Sequence, residues 1–118
     1  MDSPSSPLQP TVDVSVFAAS DMRTGTILEA EPLDRAKRPA YVLRIDFGPM
    51  GILKSTAQIT VDHSPEDLVG RKVVAVVNLP PKQVGQHTSR CLVLGAVHGP
   101  HVGLLSVPDT VPNGTRIH

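Results

Sequence analysis

Large aromatic side chains are nearly missing from this 118-residue chain, which has no Trp, one Tyr and two Phe. Stacking successive nucleic-acid bases on aromatic platforms is therefore excluded as its general mode of recognition. Aliphatic residues must fill most of its core. One cysteine, Cys91, excludes an intrachain disulfide and fits a reducing compartment. Neither sign of charge is in excess, with 11 Lys plus Arg against 11 Asp plus Glu. No bulk field draws in a polyanion, so any nucleic-acid site has to be a local patch. No apolar run approaches the roughly 20 residues of a membrane span. The opening MDSPSSPLQP lacks the basic and apolar regions of a signal peptide. A cytoplasmic chain with no membrane insertion is the expectation.

Catalytic patterns are missing too. There is no Ser/His/Asp order, no paired carboxylate and no phosphate-cradling glycine run, so an enzyme is not expected. His98-Gly99-Pro100-His101 offers two His with neither Cys nor clustered carboxylates, short of a metal-ligand set. No metal and no cofactor is expected. Cys91 opens an apolar strand and reads as an inert buried thiol rather than a nucleophile.

What the chain does have is punctuation. Twelve Pro and nine Gly leave little room for long helices and favour short strands with many turns. Residues 1–13 are Pro/Ser-rich with almost nothing to bury, which predicts a disordered tail ahead of one domain over 14–118. A helical turn is expected at Val16–Ser20, carrying Val16 and Phe17 toward the body, then a strand at Arg23–Ala30. Tyr41–Phe47 alternates Tyr41, Leu43, Ile45 and Phe47 with more polar neighbours, the period-2 mark of a half-buried strand. Further strands are expected at Gly51–Thr60, Lys72–Leu79, Cys91–Val97 and Val102–Val107. One helical turn, Pro65–Leu68, should run from a Ser64 N-cap to a Gly70 stop. Five main strands with short helical turns suit an all-β, five-stranded OB-fold barrel; the pattern alone also permits an SH3-like barrel. Val73, Ala75 and Val77 oppose Val74 and Val76 on one strand. Apolar character on both faces implies a second buried surface, and a homodimer would supply it.

Five segments in order resemble the tRNA-binding-domain family: DMRTGTILEA (21–30), RIDFG (44–48), SPEDLVGRKVVAVVNLPP (64–81), SRCLVLGA (89–96) and VPNGTRI (111–117). Within it, AKRPAYVLRIDFG (36–48), STAQIT (55–60) and VVNLPPKQVG (76–85) are more similar to the CsaA subgroup than to the domains appended to methionyl-tRNA synthetase. The pattern is broken at His87, normally apolar or aromatic, and at Cys91-Leu92, where synthetase-type domains carry Gly-Met. The resemblance implies an OB-fold homodimer acting as an export-related chaperone. Its expected partners are unfolded preproteins and the Sec export machinery. Structure-specific tRNA binding is the alternative, and docking onto a larger protein a third reading.

Each function selects residues. For peptide binding, apolar Ile52, Ala57 and Leu92 are expected beside polar Gln58, Asn78 and Ser89. For tRNA binding, phosphates would be held by Arg35, Lys37, Arg38, Lys54, Lys82 and Arg90, through backbone shape and charge rather than base stacking. The bland readings are that these cations solvate loops, that Asn78 tightens a turn and that Ser89 satisfies a backbone group. The tail supports a direct test. Deleting residues 1–12 should leave melting temperature and oligomeric mass unchanged, since that stretch has almost nothing to bury; a melt lowered by many degrees would show that the tail is docked.

Overall fold

The structure, a computed structural model, describes residues 4, 6–34 and 37–118. Residues 1–3 and 5 of the expected tail, and Arg35 of the expected basic loop, lie outside the described residues. Residues 6–12 form neither helix nor strand, and Leu8 is 99% exposed.

The first helix, α1 (Val14–Ala18), begins two residues earlier than the spacing predicts, because the Asp13 carboxylate accepts from the Ser15 amide at its start. None of its residues is buried, and Phe17 is 47% exposed. The expectation that Val16 and Phe17 turn toward the body is therefore corrected. Polar ties hold this segment instead: Arg116 Nη2 donates to Ala18 O at 2.9 Å and Asn78 Nδ2 to Ala19 O at 2.8 Å.

Strand β1 (Met22–Pro32) is long because three neighbours share it. Thr26–Pro32 pairs antiparallel with β2 (Tyr41–Asp46), with a register shift between Ile27 and Glu29 that bends the strand. A turn at Gly48–Met50 leads into β3 (Ile52–Ala57), which pairs with β2 from Tyr41↔Ala57 to Asp46↔Ile52. Next comes α2 (Pro65–Leu68), capped by the Ser64 hydroxyl accepting from the Asp67 amide and stopped at Gly70, whose φ is 87°. Its Leu68 is fully buried. Strand β4 (Lys72–Val76) then pairs with the Met22–Thr26 end of β1.

The segment before Ser89, outside every expected strand, contains a hairpin of β5 (Lys82–Val84) and β6 (His87–Ser89). Three-residue strands are too short to show a period. The expected Cys91–Val97 strand divides in two. β7 (Leu92–Val93) pairs with β4, whereas β8 (Gly95–His98) pairs with β9 (His101–Leu104) in a separate hairpin. Leu94 is the joint: its amide donates to Val74 O, and its carbonyl accepts from the Leu105 amide.

The five-stranded sheet has the order β3-β2-β1-β4-β7 and curls into a nearly closed antiparallel barrel, the OB-type, all-β fold expected from the pattern. Inside lie Ile27, Leu43, Ile45, Phe47, Leu68, Val73 and Ala75, all fully enclosed. Among the described residues, no helix is long and apolar enough to cross a membrane.

The C-terminal segment closes what β2 leaves open. The Thr24 amide donates to Thr115 O, Gly114 N donates to Thr24 O, and Ile117 N to Met22 O, each within 3.0 Å. Lys72 Nζ donates to Asn113 Oδ1 and Val111 O, and Thr26 Oγ1 also bonds Asn113 Oδ1. Val74 and Val76, whose apolar face suggested a partner subunit, are 4% and 9% exposed within this chain alone. The β4 part of that second surface is thus covered within the chain, whereas Leu92 and Val97 of the following strands stay 50% and 42% exposed.

Phe47 sits in the core because β1 has no side chain at Gly25. A Cβ there would lie 2.6 Å from Ile45 Cγ2 and 3.0 Å from the Phe47 ring. Gly25→Ala should therefore cost about 1–3 kcal/mol through overpacking, read as a melting temperature lower by several degrees. An unchanged melt would mean that the ring is not seated against β1.

Candidate functional site

Strand β3 forms one edge of the sheet. Its Ser55 points inward and is fully buried, so Ile52, Lys54 and Thr56 face outward. Against this edge the chain returns through Ser89–Cys91. Arg90 N donates to Lys54 O at 2.8 Å, and Thr56 N to Ser89 Oγ at 3.2 Å. The β5–β6 hairpin projects from this seam and divides the surface into two recesses.

The larger is a cleft of about 530 Å³, bounded by the loop after β1, the end of β3 and one face of the hairpin. Apolar Leu33, Ala40, Ala57, Val84 and Leu92 line it together with Thr56, Gln58, Ser89, Asp34, Lys37, Arg38 and Lys82. Leu92 is 50% exposed and presents the largest free apolar surface there. The smaller is a hollow of about 360 Å³, lined by Arg44, Ile52, Lys54, Gln86, Thr88 and Arg90. Alternation along the hairpin explains the division: Lys82, Val84 and Ser89 face the cleft, and Thr88 faces the hollow.

The two residue sets proposed from the sequence interleave. Ala57, Gln58, Ser89 and Leu92 of the peptide set share the cleft with Lys37, Arg38 and Lys82 of the tRNA set. Ile52 shares the hollow with Lys54 and Arg90. Asn78 lines neither recess. Its Oδ1 accepts from the Asp21 amide and its Nδ2 donates to Ala19 O, so both ends of the amide join β4 to the segment before β1. Ser89 lines the cleft and also serves the barrel, accepting from Thr56 N.

Arg44 escaped the sequence reading, having been placed simply on the polar side of its strand. Its signal lay in the register: a turn at Gly48–Gly51 sets Arg44 directly across from Lys54. Lys54 Nζ in turn donates to His87 Nδ1 at 3.3 Å, giving the unusual His87 a neighbour in the seam.

The histidines of the β8–β9 hairpin stand apart from both recesses. His101 Nδ1 is 2.8 Å from Asp62 Oδ1, and Val102 N donates to Asp62 Oδ2. The His101 bond, then the Val102 amide, holds the Asp62 carboxyl below the usual carboxylate range. These bonds latch the hairpin to the loop after β3. Among the described residues no group of three or more His, Cys, Asp or Glu is placed to hold a metal.

Similarity to known proteins follows the same outline. The family profile described as "Putative tRNA binding domain" matches residues 22–116. The crystal structure of chaperone CsaA from Bacillus anthracis is 44% identical with a TM-score of 0.87, covering 92% of this chain and 100% of that one. The CsaA chaperone from Picrophilus torridus is 40% identical with a TM-score of 0.85, over 92% and 100% of the two chains. A methionine–tRNA ligase from Methanospirillum hungatei is 32% identical over 117 residues, 99% of this chain. The chain spans only 17% of that ligase's length.

Cys91 marks the inner side of the seam. Burial pushes its thiol up to about 11, against a smaller opposing pull from the Ser55 hydroxyl. That hydroxyl is buried and outside hydrogen-bonding geometry with any partner. At pH 8 such a thiol holds on the order of 100-fold less thiolate than one at the ordinary value of 9.0. Ellman's reagent should react with it correspondingly slowly in the folded protein and rapidly in urea. The linkage has a definite sign. Below pH 9 the thiol is neutral in both states and contributes no pH dependence; between about 9 and 11 only the unfolded state ionises, so stability falls as pH rises, by up to ~1.4 kcal/mol per unit. Cys91→Ser should lose that share of the alkaline slope. Fast labelling of the native protein would show the seam to be open.

Proposed function

This chain belongs to the tRNA-binding-domain family, in its CsaA-type branch, and from that premise we propose that it is a homodimeric chaperone for unfolded or export-bound preproteins. It acts as a binding module in the cytoplasm rather than as an enzyme, and delivers clients to the Sec export machinery. The observation that carries the reading is the larger cleft. Its volume falls within the range of ligand sites, and its wall alternates apolar Ala57, Val84 and Leu92 with polar Gln58 and Ser89. An extended segment can bury apolar side chains there and hydrogen-bond between them. Scarce aromatics suit clients recognised by aliphatic contact.

Support for the dimer comes from α1. Val14, Val16 and Phe17 are all exposed, and a five-residue helix is not stable by itself in water. A second copy laid over that face would bury it.

A second reading, structure-specific tRNA binding, is favoured by one observation: Lys37, Arg38 and Lys82 gather in the same cleft. Such cations neutralise phosphates, with a log–log salt slope of about −0.7 to −0.9 per contact. One experiment addresses both readings. The full chain is titrated with an unfolded preprotein and with tRNA across a salt series, as wild type and as Leu92→Glu. Preprotein affinity should be nearly salt-independent and fall about tenfold or more in Leu92→Glu, because a charge replaces apolar contact. Unchanged preprotein affinity in that variant would remove the cleft from the function. Light scattering at micromolar concentration should give twice the 12.5 kDa chain mass; a monomer would overturn the dimer.

A further inference from the structure

The smaller hollow gathers three cations from three segments: Arg44 on β2, Lys54 on β3 and Arg90 just after β6. Arg44 and Lys54 stand directly opposite each other in the β2–β3 register. Like charges in that position destabilise a sheet unless something of opposite sign covers them. No acidic residue lines the hollow among the described residues. The one carboxylate paired with this group is Glu29, whose Oε2 lies 3.8 Å from Arg44 Nε. That side chain is 71% exposed, so water weakens the pair without abolishing it.

One of the three cations is held by its side chain, and the backbone that carries a second is fixed. Lys54 Nζ is directed at His87 Nδ1, and the Arg90 amide is fixed on Lys54 O, the bond that closes the barrel. The Gln86 amide adds a neutral donor to the same wall, whereas the Thr88 hydroxyl gives its proton to Gln83 Oε1 at 2.9 Å and lines the hollow as an acceptor. Two guanidinium forks, an ammonium and a side-chain amide around a small recess match the tetrahedral oxygens of one chemical group.

We infer that the hollow formed by Arg44, Lys54, Thr88 and Arg90 is a phosphate-holding notch, separate from the larger cleft. It lies across the β5–β6 hairpin from Lys82, Val84 and Ser89, so a ligand in the cleft leaves it free. The phosphate comes from a polynucleotide backbone or from a free phosphate ester. The inference deepens the tRNA reading and rests on it only for the first of these sources.

The test has two arms on the full chain. In the first, inorganic phosphate is titrated while the side-chain Nε–Hε resonances of arginine are followed by NMR, with sodium chloride at matched ionic strength as control. Saturable shifts should be confined to Arg44 and Arg90. The affinity should fall about tenfold in Arg44→Gln, a lost charge-assisted contact, and again in Lys54→Gln. It should rise about two- to fivefold in Glu29→Gln, which releases Arg44; this variant guards against reading misfolding as lost binding, since a damaged protein does not bind better. Shifts reproduced by chloride, shifts spread over all arginines, or no gain in Glu29→Gln would overturn the notch. In the second arm, tRNA is titrated against wild type and Arg44→Gln/Arg90→Gln across a salt series. A salt slope shallower by roughly 1 in the double variant assigns the backbone as source. Phosphate binding with no tRNA response keeps the notch for a free ester and removes the tRNA reading. tRNA binding that ignores both substitutions while the phosphate arm is silent removes the notch alone.

Discussion

The carbonyl of Lys54 accepts the hydrogen bond from the Arg90 amide, and through that contact the free edge of β3 meets the segment leading into β7. Several consequences follow from this seam. The Cys91 thiol reaches the same carbonyl, Thr56 N finds the Ser89 hydroxyl, and the β5–β6 hairpin is forced outward as a ridge. A ridge standing on a curved sheet has a recess on either side, and those recesses are the cleft and the hollow. Barrel closure and site construction are thus one event. A residue such as Ser89 cannot be assigned wholly to either.

A second constraint acts at the other side of the barrel. Strand β1 is too long for any one neighbour, so β2, β4 and the C-terminal segment each take part of it. The bulge after Ile27 bends β1 enough to serve the first two. Where β2 has left, Thr24 receives the tail through its amide, its carbonyl and its hydroxyl, the last donating to Pro112 O. Close approach of the two ends is possible because Gly114 carries no Cβ, which would lie 2.6 Å from Phe47 O. The backbone at Phe47 and the C-terminal segment therefore pack directly on each other.

The mixture of charge and aliphatic surface around the ridge bears on function. In the cleft, Lys37, Arg38 and Lys82 line the same wall as Ala57 and Leu92. The hollow has the opposite balance, with three cations and only Ile52 as an apolar lining residue. The two recesses on one ridge thus differ in character.

Much of this molecule was legible in the chain itself. The alternation from Tyr41 to Phe47, the Ser64–Gly70 helical turn and the order of strands follow from local periodicity, capping and turn chemistry, which act within a few residues. Those features determined an all-β barrel, and the motif order determined its family. The sequence also nominated most of the residues that line the two recesses. It did not show which of them meet. Arg44 joins Lys54 only through the β2–β3 register, Asn78 leaves the site because its amide is consumed by Asp21 and Ala19, and the Thr24 hydroxyl finds Pro112 O 88 residues away. Each depends on pairing between distant strands, where register and closure set the neighbours. Local pattern carries no record of that geometry, so the tertiary structure alone decided it.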